Sequence, residues 1–258
     1  MDSRAMRATA AVGVLLLLTT VAIANVDEPA IQVVATNATG TATFTRPLSA
    51  FTPVDGFGYF LDVWSWVDLK TLGNQHVAYL TGLHVQLSDD PAAYAGMSVG
   101  FSVTAGNTDT TFTITPGVIS FDPIPAPFAA AMMSWGFTCV DSAASGDSHV
   151  LMQGVPTGED IYKTWYNGTA PFGDSAIALQ AFSTPPGSGA VASLSDNVPL
   201  TGYASLGVPV DEIRSQTAFT LTHLDTADVN TTYWLDLPEP SALALAALGV
   251  AALVRRRR

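Results

Sequence analysis

Between Leu61 and Leu69 the side chains alternate: Asp62, Trp64, Trp66 and Asp68 on one face, Leu61, Val63, Val67 and Leu69 on the other. Indole rings beside carboxylates are groups that bind sugars. The rings lie against apolar C–H faces while the acids accept hydroxyl hydrogens. The same pattern fits a core face between two sheets with aspartates at its margins, and the sequence favours that buried placement. Asp225, Asp228 and Asn230 offer oxygen ligands of the kind calcium takes, as do Asn107 and Asp109. Neither set completes a calcium-loop pattern, so ordinary Asx turns are expected there and no cofactor is assigned.

Other reactive residue types are present without the spacing that chemistry needs. His76, His84, His149 and His223 form no metal-ligand pair. Gly146-Asp147-Ser148 and Gly173-Asp174-Ser175 match the core of a serine-esterase motif, but no Asp-x-x-His follows and no helix pattern supports an α/β fold. Gly-Asp-Ser is also a common turn sequence. Cys139, the single cysteine, excludes an intrachain disulfide and reads as a small buried hydrophobe. Asp89-Asp90 and Glu159-Asp160 read as solvated turn carboxylates. Asn37, Asn167 and Asn230 match the glycosylation acceptor pattern by composition alone. No catalytic residue is assigned, and the chain is expected to be non-enzymatic.

The elements that would position these residues are strands. Val77 to Leu87 holds two runs broken at Thr81-Gly82. Met97 to Thr104 turns Val99, Phe101 and Val103 to one face, and Thr111 to Thr115 points Phe112 and Ile114 the same way. The polar turn between them predicts a hairpin over Ser98–Thr115. Gly117 to Phe121, His149 to Gln153, Asp160 to Tyr166 and Ala176 to Phe182 read as further strands. Ala129 to Met133 could be helical, though Trp135-Gly136-Phe137 continues as a strand. Thr184 to Asn197 is expected to be an exposed Pro/Gly/Ser-rich stretch, and Ser205–Arg214 a short helical turn. Phe101-Ser102-Val103-Thr104 with Thr110-Thr111-Phe112 is echoed by Phe219-Thr220-Leu221-Thr222 with Thr231-Thr232-Tyr233. Around ten short strands rich in Thr and Ser predict an antiparallel β-sandwich or jelly-roll.

Both ends differ from this pattern. Arg4 and Arg7, the apolar run Ala8 to Val21, and Ala22-Ile23-Ala24 predict a secretory signal peptide over residues 1–24, with Asn25 as the first mature residue. At the other end Pro238-Glu239-Pro240-Ser241 precedes thirteen apolar residues, Ala242 to Val254, and then Arg255, Arg256, Arg257 and Arg258. The apolar run favours a helix. It would reach only about 20 Å, at ~1.5 Å per residue, across a hydrocarbon core of ~30 Å. The arginines would hold its end on the cytoplasmic side. Setting aside Asp2, Arg4, Arg7 and the terminal arginines from 22 acidic and 10 basic residues leaves 21 against four: Arg46, Lys70, Lys163 and Arg214. A net charge near −17 repels nucleic acid and anionic lipid, which excludes both as partners of the exported part.

The three-part tail resembles the PEP-CTERM sorting signal over residues 238–258. The resemblance implies processing by an exosortase-type membrane enzyme after passage through the secretion machinery, in bacteria that make exopolysaccharide. It implies location and no activity. The expected organisation is therefore a signal helix over 1–24, an all-β ectodomain over 25–236 and a sorting signal with a short hydrophobic helix over 237–258. The protein is expected in the cell envelope or extracellular matrix, touching the inner membrane transiently through its tail. Extracellular polysaccharide is the expected partner if Trp64 and Trp66 face solvent; a secreted glycan hydrolase with paired acids is the remaining alternative.

Overall fold

The computed structural model describes residues 25–55, 57–90, 94–126, 129–142, 151–157, 159–168, 170–172, 181–183 and 189–236. The expected signal helix, with Ala22 and Ala24, lies outside these residues. So do the sorting signal, with Pro238, Glu239, Pro240 and Arg255 to Arg258, and both Gly-Asp-Ser triplets. In chain order the strands are β1 (Asn25–Val26), β2 (Ile31–Asn37), β3 (Gly40–Arg46), β4 (Thr52–Val54), β5 (Gly58–Val63), β6 (Val67–Lys70), β7 (His76–Asp90), β8 (Tyr94–Ala105), β9 (Thr110–Pro116) and β10 (Ile119–Ile124). They continue with β11 (Ala130–Val140), β12 (Leu151–Gly154), β13 (Tyr162–Tyr166), β14 (Ala170–Phe172), β15 (Ala181–Ser183), β16 (Val191–Val198), β17 (Ala204–Ser205), β18 (Val210–Leu221) and β19 (Thr226–Asp236). One 3-10 turn, Leu48–Ala50, is the only helical element among the described residues.

Every pairing is antiparallel, in two sheets. The first runs β1-β10-β18-β9-β2-β3, with β12 and β13 also on β18, β14 on β13 and β15 on β12. The second runs β16-β11-β19-β8-β7-β5-β4, with β6 on β7 and β17 on β11. Alternation builds the core. Val99, Phe101 and Val103 of β8, with Ala227, Val229 and Tyr233 of β19, point inward from the second sheet. Phe112 and Ile114 of β9, with Phe219 and Leu221 of β18, meet them from the first. Phe101 stacks on Phe219 across the interior at 6.3 Å and 9°. Buried hydroxyls are accommodated there too: Ser215 Oγ donates to Met97 Sδ at 3.0 Å and Thr164 Oγ1 to Phe172 O at 2.9 Å.

Two expectations are corrected and two open readings are settled. Ser98–Thr115 is no hairpin: β8 pairs with β7 and β19 in one sheet, while β9 pairs with β2 and β18 in the other. Residues 106–109 carry the chain from sheet to sheet because both strands need their apolar faces in one core. Residues 130–140 are strand throughout, with Ala131, Met133, Trp135, Phe137 and Cys139 buried in alternation. Packing settles what the Ala-Met composition left open. Val191–Val198, largely within the stretch expected to be exposed, does keep its side chains largely in water, and it is a strand paired along β11. Residues 204–205 and 210–214 are strand instead of a helical turn.

The repeated segment also takes a definite form. The connection from β18 to β19 crosses between sheets as the one from β8 to β9 does, and β8 lies beside β19 while β9 lies beside β18. Phe101 and Phe219 occupy corresponding places in the two crossings. Phe112 pairs with Phe219, but the residue paired with Phe101 is Val229 and not Tyr233. The likeness therefore holds for the first strand of each pair and slips in the second.

Candidate functional site

The solvent-facing side of the second sheet carries the aromatic and acidic residues singled out in the sequence. Strands β5 and β6 both pair with β7 and follow one another along it. Val63 opposes Leu83 and Val67 opposes Leu80, so Trp64, Ser65 and Trp66 span only Thr81 and Gly82. This is a bulge of one extra residue, a feature that re-aims side chains and twists a sheet edge. Leu61 and Leu69 remain buried, as the alternation requires. Trp64 is 82% exposed and Trp66 71%. The expected buried placement of this face is overturned: it is the outside of the sheet, and no second layer covers it among the described residues.

Cross-strand register supplies each carboxylate with a partner. Asp62 lies directly opposite His84, and its Oδ1 is 2.5 Å from His84 Nδ1. Asp68 Oδ1 is 2.6 Å from His76 Nδ1, and Lys70 Nζ reaches Asp68 Oδ2 at 3.0 Å. Slight burial works to raise the Asp68 carboxyl, but the bonds and charges of His76 and Lys70 outweigh it and hold the group below the ordinary carboxylate range. Tyr79, opposite Asp68, joins the aromatic run: its ring centroid is 5.4 Å from Trp66 and 4.3 Å from His76. The surface thus offers exposed rings with carboxylate and imidazole edges held in fixed positions. Those groups can stack on apolar faces and exchange hydrogen bonds with hydroxyls. Sequence reasoning found the four central residues but missed His76, His84 and Tyr79, which reach the site by register across strands.

The calcium candidates are not brought together. Asp225 is wholly buried at the β18–β19 turn, where Oδ1 accepts from the Ser142 N–H at 2.9 Å and Oδ2 from the Thr222 hydroxyl. Asp228 and Asn230 stand on the outer face of β19. Among the described residues no group of three or more His, Cys, Asp or Glu lies close enough to hold a metal ion. Asp109 caps the same turn by accepting from the His223 N–H at 3.1 Å. With Ala38, Asn107, Thr108 and His223 it lines a shallow depression of about 450 Å³ that is open to solvent. Cys139 is buried, and its thiol is pushed up to about 12, first by desolvation and then by the charges of Asp225 and Asp228. It stays protonated and inert. Asn37 and Asn167 hold turns: Asn37 donates to Val77 O at 2.9 Å, and Asn167 donates to Pro209 O at 2.7 Å.

Residues 236–258 match the PEP-CTERM protein-sorting motif. The motif implies a secreted or cell-envelope protein of a bacterium and recognition by an exosortase-type processing enzyme. No curated protein matches the chain. Among solved structures it is similar to TmCBM61, determined in complex with β-1,4-galactotriose, at 8% identity over 54% of this chain and 70% of that one, with a TM-score of 0.25. It is also similar to a chain of the disulfide-linked pili that form Bacillus endospore appendages (16% identity, 56% and 89% covered, TM-score 0.21). A third likeness is to the K1 cleaved adhesin domain of Lys-gingipain from Porphyromonas gingivalis W83 (14% identity, 69% and 98% covered, TM-score 0.22). None of these TM-scores establishes a shared topology.

Proposed function

We propose that this is a non-enzymatic protein of the bacterial cell envelope or extracellular matrix that holds polysaccharide on the outer face of its second sheet. The observation that carries this reading is the exposure of Trp64 and Trp66 at one bulge, beside the Asp62–His84 and Asp68–His76 pairs. Two large indoles left in water at adjacent outward positions cost solvation that folding does not recover. A ligand with flat apolar faces and many hydroxyls recovers it. In this reading the tail delivers the protein, exosortase-type processing removes the tail, and the acidic domain remains among secreted polymers.

Trp64→Ala and Trp66→Ala test it. Electrophoresis of the exported domain through gels containing soluble polysaccharides should show retardation that each variant weakens by about tenfold in affinity, equivalent to about 1.4 kcal/mol. Thermal stability should be unchanged, because neither ring lies in the core. Equal retardation of wild type and both variants would remove the proposed site.

A further inference from the structure

Two kinds of glycine stand on the outer face of the second sheet. Gly96 is there because the Trp234 ring lies on it: a Cβ would sit 1.9 Å from Trp234 Cε3. Gly82, Gly100 and Gly136 meet no such obstruction, although Gly82 stands at a register shift of β7. The atom nearest an added Cβ is Ser102 Cβ at 4.0 Å for Gly82, His84 Cβ at 3.9 Å for Gly100 and Ser195 Cβ at 3.7 Å for Gly136, and none of the three has a positive φ. Glycine inside a strand weakens it, and outside bulges it marks places where another molecule or backbone comes close. Gly82 adjoins the bulge; Gly100 and Gly136 do not.

Register places Gly82 on a line across the sheet, while Gly100 and Gly136 lie on the neighbouring row, joined through Asn230. The Trp64–Trp66 bulge lies opposite Gly82, Gly82 pairs with Ser102, and Ser102 pairs with Asp228 on β19. Three strand spacings of ~4.8 Å place Asp228 about 14 Å from the bulge. The repeat of an extended pyranose chain is comparable to one strand spacing. A chain starting on the tryptophans would therefore pass over Gly82 and Ser102 and bring a later ring to Asp228. Charge selects among such chains. Asp228 is exposed, whereas Lys70, the one lysine or arginine on this face, is already held by Asp68, and the imidazoles of His76 and His84 by Asp68 and Asp62. Of the other three bases outside the terminal segments, Lys163 pairs with Glu159, Arg214 lies over Trp165 and Arg46 over Phe44, all on the first sheet.

We infer that the site takes an extended amino-sugar chain laid across the strands from Trp64 and Trp66 to Asp228, with a free ammonium group on the Asp228 carboxylate. The inference rests on the glycan-binding reading above and adds the class and course of the ligand.

Calorimetric titration of the exported domain with a glucosamine pentasaccharide, its fully N-acetylated counterpart and a uronate oligomer tests it. The free-amine chain should bind more tightly than the acetylated one by about fivefold at low salt, the upper range for one exposed ion pair. High salt should abolish that advantage. Asp228→Asn should erase it while leaving the acetylated chain bound. Gly82→Leu, which the backbone accepts, should weaken both sugars without lowering the melting temperature. Equal affinity for the two chains, tighter binding of the uronate, or indifference to Asp228→Asn would overturn the inference. In any of those outcomes, loss of binding in Trp64→Ala would still uphold the glycan site itself. Absence of binding to every oligomer would overturn both.

Discussion

Asp68 is where the outer face is most finely balanced. Its carboxylate accepts from His76 and Lys70, and these contacts outweigh the small desolvation that opposes ionisation. A folded-state value below the unfolded one contributes stability that is present above the unfolded value and lost as pH falls through the folded one. Removing the partners should reverse the shift. In a carboxyl-carbon NMR titration, His76→Ala together with Lys70→Ala should return Asp68 to the ordinary aspartate range. An unchanged titration would show that neither contact persists in solution. Asp225, by contrast, is buried, and its two acceptor bonds tie residue 142 to the β18–β19 turn, a structural use of a carboxylate first considered as a metal ligand.

At the scale of the strand, side-chain clearance separates glycines the fold requires from those it merely carries. Gly96→Ala should destabilise the protein by about 1–3 kcal/mol, because the Trp234 ring must leave its place to admit the new methyl. Gly100→Ala should be neutral or stabilising by about 0.5–1 kcal/mol, since alanine costs less backbone entropy in a strand and meets only ordinary contacts. Urea denaturation of the two variants makes the comparison, and equal losses would refute the distinction. The inward faces of β8 and β9 were legible from alternation, whereas for β5–β6 alternation separated the two faces and the wrong one was expected inside. The partners of β8 and β9 were not. A polar turn between two amphipathic runs is the same signal whether the chain folds back within a sheet or crosses to the facing one. The β2–β3 hairpin, whose Ile31, Val33 and Ala35 pack inward, was not assigned from sequence at all.

For the whole molecule, the sheets and the tail have separate tasks. The tail carries the PEP-CTERM motif, and the Ala242 to Val254 run is too short to be a comfortable permanent span. Intact-mass measurement of the protein recovered from outside the cell should give a species ending before Ala242. Deletion of residues 238–258 should instead release the domain without the processing step. A wild-type mature species that retains Arg258 would refute removal of the tail. In the proposed role, the acidity of the exported part would repel anionic polymers and favour amine-bearing ligands.

The sequence by itself determined the address and the material: a sorting signal readable from three local features in order, and an all-β domain readable from a period of two. It also determined that Asp62, Trp64, Trp66 and Asp68 share a face. Only the tertiary structure decided that this face looks into water, that His76, His84 and Tyr79 join it from β7, and that cross-strand register lines Gly82 and Ser102 up between it and Asp228. The reason is that periodicity along one strand defines two faces without saying which is covered. Covering, like register, belongs to contacts between segments far apart in the chain.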